Sequence, residues 1–233
     1  VKKISIIIPT YNSANTLQNC LDSIFAQTYP SIEIIVIDGK STDGTIEVLE
    51  SNNKRIAYWE SKPDNGVYDA MNKALAHVSG DWIYFLGSDD ELLCDFSDLA
   101  LELEDTKGIY YANVFADGAK RLGKLTRYQF AKFGPYHQAI VYPKDVFKKY
   151  KYNTKYLISA DFALTITLCG DPEFHFIYKD LVIAKFNHEG LSGQSIDNAF
   201  QKDKEHLVLK NFGIITLLRY KIHKYKNKGN PRA

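Results

Sequence analysis

The sequence predicts an α/β protein, in which a mostly parallel, Rossmann-like central sheet carries helices on both faces and a helical extension follows at the C-terminus. Two observations carry that expectation. Short, continuously apolar segments rich in Ile and Val recur through the first half of the chain, and stretches with helical spacing separate them. Strands apolar at every residue suit a parallel sheet covered on both faces, because neither of their sides alternates toward water. A third observation locates function. Polar and acidic clusters fall where these strands end, and open parallel sheets hold ligands at the carboxyl ends of their strands.

Taken in order, residues 4–9 (ISIIIP) form the first strand, and residues 14–27 a helix with Leu17, Leu21, Ile24 and Phe25 on one face. Residues 33–37 (EIIVI) are a second buried strand, and residues 43–51 a helix that Ser41 or Asp43 can cap. A strand at 56–60, a helix at 67–78 and a strand at 82–86 complete the regular part. Beyond Asp95 the pattern loosens. Strands are expected at 109–114 and 120–126 around a turn at Asp117 and Gly118, then a helix at 161–168, an extended segment at 181–186 and a helix at 198–212. The predicted organisation is one domain over 1–195, in two halves (1–95 and 96–195), and a basic helical tail over 196–233.

Composition narrows the function. The 233 residues are 45% hydrophobic and 24% charged, with a net charge of +1, so a general nucleic-acid binder is not expected. Three widely separated cysteines show no metal or redox spacing and suit a reducing cytoplasm. The apolar run at the N-terminus ends at Pro9, too early for a signal peptide, and no run approaches the ~20 residues of a membrane span. From Arg219 onward the chain carries six basic residues and no acid, interleaved with Ile214, Ile215, Leu217, Leu218, Tyr220 and Ile222. Such a basic amphipathic segment, residues 212–228, either lies on a membrane surface or packs on this domain or a second subunit.

The stretch DWIYFLGSDDEL (81–92) runs an apolar strand into Asp89, Asp90 and Glu91. Adjacent acids repel, and burial makes each harder to ionise. A metal ion, a basic partner or plain hydration would resolve the conflict.

Four segments in order now carry a resemblance: ISIIIPTYNSANTLQNCLDSI (4–24), EIIVIDGKSTDGT (33–45), PDNGVYDAMNKALAHVSGDWIYFLGSDD (63–90), and HQAIVYPKDVF (137–147) with ISADFAL (158–164). Together they resemble the inverting glycosyltransferase family 2, of GT-A fold, over roughly residues 4–190. The resemblance implies that Pro9, Thr10, Tyr11 and Asn12 form a loop holding the nucleotide, with Tyr11 stacked on a pyrimidine. It implies that Asp38 accepts a hydrogen bond from the base, while Gly39 permits close backbone approach. Asp64 meets the nucleotide on the same account, and Asn72 and Lys73 lie on the helix beneath it, although Asn65-Gly66 is also an ordinary turn pair and Lys73 suits a solvated helix face equally well.

Ser88, Asp89 and Asp90 match the family's metal motif, except that Gly87 stands at its first acidic position. Asp89 is then expected at the ribose or at metal-bound water, and Asp90 as direct ligand of Mn²⁺ or Mg²⁺ against the diphosphate of a UDP-sugar. Asp161 matches the catalytic base, with Ala160 where relatives often carry an acid, and it could also cap a helix. His137 and Gln138 match an acceptor or sugar contact. The segment 186–195 matches a loop that closes over the diphosphate, with His188 as a third metal ligand, a phosphate contact or neither. The implied activity is transfer of a hexosyl or N-acetylhexosaminyl group to a lipid-linked glycan, in O-antigen or other surface polysaccharide synthesis at the inner face of a bacterial membrane. A sugar nucleotidyltransferase would open with a Gly-rich loop, which PTYNSAN lacks. A non-catalytic sugar-nucleotide module would bind without turnover, and Gly87 and Ala160 are the hints toward it.

Overall fold

The structure, a computed structural model, describes residues 1–187 and 196–226. Its strands are β1 (Ile4–Thr10), β2 (Ile32–Asp38), β3 (Tyr58–Ser61), β4 (Trp82–Phe85), β5 (Glu91–Leu92), β6 (Gly108–Ala116), β7 (Ala119–Arg121), β8 (Ile140–Pro143) and β9 (His175–Lys185). The helices are α1 (Leu17–Phe25), α2 (Thr45–Ser51), α3 (Val67–Ala74), α4 (Asp95–Leu101), α5 (Arg127–Lys132), α6 (Lys144–Lys149), α7 (Ala160–Gly170), α8 (Asn198–Phe212) and α9 (Ile214–Lys226).

All nine strands belong to one sheet of order β3-β2-β1-β4-β8-β6-β9-β5, with β7 attached to β6. Strands β3, β2, β1 and β4 are mutually parallel, and β6 is parallel to β9, whereas β8 runs against both of its neighbours. The chain moves outward from β1 to β3 and then crosses to β4 on the other side of β1. That reversal makes the gap beyond β1 and β4 the topological switch point, where a ligand can enter between diverging loops.

Successive residues of each strand face opposite layers. Ile4, Ile6, Ile8, Ile34, Val36, Trp82 and Tyr84 pack in one buried cluster with Leu17, Leu21 and Phe96. Ile7, Ile35, Ile37, Ile83 and Phe85 pack in the other with Met71, Ala160 and Leu164. The second cluster also contains Phe200, Val208, Phe212, Leu217 and Tyr220, so helices α8 and α9 share a core with the sheet.

Several bounds differ from the expected ones for identifiable reasons. Helix α1 starts at Leu17, because Asp43 takes the Ala14 N–H and residues 13–16 form a turn. The strand expected at 120–126 stops at Arg121, since Leu122 (φ 106°) and Gly123 (φ 80°) leave the extended region. The extended segment at 181–186 proves to be the second half of β9.

The end of the sheet opposite the switch point is pinned by Glu33. Its carboxylate accepts hydrogen bonds from the Ser5 hydroxyl, the Ser79 N–H and hydroxyl and the Gly80 N–H, and it pairs with Lys3 at 2.6 Å. Burial pushes the carboxyl up, but bonds from Lys3, Ser5 and Ser79 outweigh it and bring the group from 4.5 down to about 2. A lowered folded pKa contributes stability that is complete above pH 4.5 and lost as pH falls through about 2. We expect Glu33→Gln to cost about 3 kcal/mol at neutral pH. Denaturant titrations should show the gap between the two proteins closing near pH 2, and a gap unchanged by acid would refute the assignment.

Candidate active site

Strand β1 ends in Thr10, paired in register with Asp38 at the end of β2. Tyr11 follows with its ring 65% exposed. Asn12 adopts φ 49° and joins the two strand ends: its N–H donates to Ser41 Oγ, and its Oδ1 accepts from the Thr42 N–H. Ser41 in turn donates its N–H (2.9 Å) and its hydroxyl to the Asp38 carboxylate, which also accepts from Ser61 Oγ. Asp38 is 0% exposed. Its oxygens are taken up by Ser41 and Ser61, and in this structure it braces the loops. Lys40 stands exposed at φ 67°, a left-handed conformation that a non-glycine residue adopts at a cost of about 1 kcal/mol. The Thr10 hydroxyl is buried without a partner among the described residues.

Strand β4 delivers Gly87, Ser88, Asp89 and Asp90 to the same switch point. Ser88 Oγ lies 2.8 Å from Ser13 Oγ, closing the gap between the β1 and β4 loops. Asp90 is 1% exposed and accepts from Gln138 Nε2 (2.7 Å) and from the Asn187 N–H (2.8 Å). Burial pushes its carboxyl up to about 7, despite the Asn187 bond, and the neighbouring Asp89 charge adds to the rise. Asp89 is also raised by burial. Two carboxyls held above their ordinary range side by side describe a place that a cation would relieve.

Gly87 explains the departure from the fuller acidic motif. A Cβ there would stand 2.6 Å from Asp90 Oδ2 and 2.9 Å from Asp89 Oδ1, so the missing side chain leaves a hollow against both carboxylates. The donor set therefore fits a hard divalent ion, which Asp90 and Asp89 would hold. Among the described residues no group of three His, Cys, Asp or Glu side chains is gathered closely enough to hold one alone. Diphosphate oxygens and water would complete the shell. His188 lies outside the described residues. Glu91 pairs with Lys185 and belongs to the β5–β9 edge.

The third component is Asp161, on the first turn of α7. Its Oδ1 lies 2.7 Å from the Tyr68 hydroxyl, which is also within 2.7 Å of the Ile158 carbonyl. The helix entrance is capped from elsewhere. Asp197 accepts from the N–H groups of Ile158 and Ser159, and also from Phe200 at the start of α8. Burial pushes the Asp197 carboxyl up, but these N–H bonds outweigh it and hold it below the usual range.

Between Asp90 and Asp161 runs a wall of polar and aromatic side chains. His137 stacks on Phe85 with ring centroids 5.1 Å apart and meets the Tyr152 hydroxyl at 2.8 Å. The Tyr152 ring lies 5.3 Å from Tyr68, which holds Asp161. The expected pair His137–Gln138 thus divides: Gln138 grips Asp90, while His137 is embedded among rings, and burial lowers its pKa. Asn72 and Lys73 are likewise supports. Asn72 exchanges both amide bonds with the Tyr152 backbone, and Lys73 pairs with Asp69 at 3.0 Å and donates to the Pro63 carbonyl. Sequence reasoning missed Tyr68 and Tyr152, whereas Asn187 lies at the start of the 186–195 segment matched to a family loop. Tyr68 carried a signal only as an apolar position on α3, and Tyr152 carried none.

Comparisons with known proteins agree on the fold and its use. The family model described as Glycosyl transferase family 2 matches residues 5–168. A "PGL/p-HBAD biosynthesis glycosyltransferase" of Mycobacterium bovis (strain BCG / Pasteur 1173P2) is 35% identical over 211 residues, covering 85% of this chain and 82% of its own. Among solved structures, S. aureus TarS 1-349 in complex with UDP-GlcNAc superposes with a TM-score of 0.74 at 16% identity, over 97% of this chain and 74% of that one. The mannosyltransferase PcManGT from Pyrobaculum calidifontis, in complex with GDP-Man and Mn2+, gives 0.63 at 16% identity, over 97% and 75%.

Proposed function

The chain belongs to glycosyl transferase family 2, and from that premise we propose that it transfers a sugar from a UDP-linked donor to an acceptor hydroxyl with inversion at the anomeric carbon, using Mn²⁺ or Mg²⁺. The observation that carries the reading is the placement of Asp90 and Asp161 at the two ends of one wall beside the switch point. Tyr11 offers an exposed ring to the base. Asp89 and Asp90 would hold the cation, which supplies positive charge against the departing diphosphate. Asp161 takes the acceptor's proton, oriented for that task by Tyr68. The transferred group is of hexosyl or N-acetylhexosaminyl type.

The acceptor in this reading is a lipid-linked glycan, as in bacterial O-antigen or other surface polysaccharide synthesis on the cytoplasmic side of the membrane. Helix α9 supports it. It exposes Ile214, Ile215, Leu218, Ile222 and Tyr225 along one stripe, Ile215 being 82% exposed. Charge favours an anionic lipid surface over a protein partner there. Of 29 basic and 28 acidic residues, seven basic ones and no acidic one follow Glu205, leaving residues 1–205 at −6 and residues 206–233 at +7. An acidic body with a basic, apolar-striped tail orients on a negative leaflet.

The test is twofold. Calorimetry should find UDP binding that Mn²⁺ strengthens, and turnover of UDP-sugars should follow with a lipid-linked acceptor. Binding without turnover would favour a sugar-nucleotide module. Flotation with phosphatidylglycerol vesicles should retain the protein and lose it for Ile215→Glu/Leu218→Glu, while a dimer disrupted by the same pair would give the stripe to a second copy.

A further inference from the structure

The space beside Gly39 is occupied by a residue from another loop. Gly39 follows Asp38, whose carboxylate is buried and bonded to Ser41 and Ser61. Asp38 therefore has no accessible oxygen to read a base, and Gly39 has no side chain to do so. Yet a Cβ built on Gly39 would come within 2.9 Å of Asp64 Oδ2 and 3.3 Å of the Tyr11 ring. A carboxylate from the loop after β3 thus fills the position that a side chain at residue 39 would occupy, in the place where the exposed Tyr11 ring begins.

The two oxygens of Asp64 differ. Oδ1 accepts the Gly66 N–H at 2.9 Å, which fixes the side chain in a turn with its own backbone. Oδ2 has no hydrogen-bond or ion-pair partner among the described residues. The backbone beneath is also fixed: the Gly39 N–H donates to the Thr10 carbonyl at 2.9 Å. Beside it lies the unpartnered Thr10 hydroxyl. The result is a preorganised acceptor oxygen at the rim of an aromatic platform.

We infer that Asp64 reads the edge of the nucleotide base, accepting a ring N–H with Oδ2, in place of the acid at the end of β2. A ring N–H at that edge belongs to uracil (N3–H) or guanine (N1–H). Cytosine presents a bare acceptor nitrogen there and meets the carboxylate lone pair against lone pair. The inference rests on the proposed reading of the Tyr11 loop as the nucleotide site, and it assigns to this chain the residue that sets base specificity. A carboxylate that accepts a hydrogen bond from one base and repels another should separate the two by ~10–100-fold.

The experiment is calorimetry of UDP, GDP and CDP with Mn²⁺ on the native chain, on Asp64→Asn and on Gly39→Asp/Asp64→Ala. Asparagine keeps the bond from Gly66 through its own oxygen and puts an NH₂ donor where Oδ2 stood, so the turn survives while the reading reverses. The expected result is a native preference for UDP or GDP over CDP of about tenfold or more, lost or inverted in Asp64→Asn. Which of the two leads identifies the base. In the double variant the carboxylate returns from position 39, where the backbone is not left-handed and the clash with Asp64 is gone, and the preference should recover. A preference unchanged in Asp64→Asn overturns the inference and leaves the donor site standing. No binding of any of the three nucleotides by the native chain overturns the donor site and this inference together.

Discussion

Replacing Asp161 by asparagine is expected to lower sugar transfer by ~10²–10⁴-fold, the usual worth of a positioned general base, while leaving UDP affinity unchanged. The geometry separates the two effects. Asp161 touches the Tyr68 hydroxyl at 2.7 Å and lies at the start of α7, whereas the Tyr11 loop and the Asp89–Asp90 pair lie beyond β1 and β4. Folding should be little affected, because the N–H groups at the α7 entrance are bonded to Asp197. Transfer measured at saturating donor, beside a UDP titration, makes the comparison. Near-native transfer would remove Asp161 as base. Tyr68→Phe should be milder, costing ~10-fold in kcat through a loosened carboxylate, in keeping with a hydrogen bond to a charged group.

Asp90→Asn should be at least as severe, by another route. The carboxylate accepts from Gln138 on one oxygen and from the Asn187 N–H on the other. An amide must turn its NH₂ toward one of these donors, so the change breaks a bond as well as removing the charge that would hold the cation. Loss of several kcal/mol of leaving-group stabilisation corresponds to ~10³-fold in rate. In this variant, unlike Asp161→Asn, the Mn²⁺-dependent part of UDP affinity should vanish. Calorimetry with and without Mn²⁺ on both variants distinguishes donor-side from acceptor-side damage, and a metal effect that survives in Asp90→Asn would detach Asp90 from the cation.

What could be read from the sequence was local. Continuous apolar strands announced the parallel sheet, because their burial on both faces depends on their own residues. The SDD turn announced an acidic site, because Ser88, Asp89 and Asp90 are neighbours in sequence. Roles fixed by distant partners were illegible. Asp38 read as a ligand, since nothing near it reveals that Ser61, 23 residues on, would close over its carboxylate. Asn72 read as a nucleotide neighbour, although its amide is engaged by Tyr152, 80 residues away. Nothing in the sequence around Lys204 shows that it is buried over the rings of Phe162 and Tyr220, where burial lowers it to about 8.

The shared grip of Asp197 has a thermodynamic corollary. One carboxylate serves the first turn of α8 and the peptide groups that precede Asp161. A change that displaces Asp197 from the first turn of α8 would also release the peptide groups that precede Asp161, and any such coupling is equal in the reverse direction.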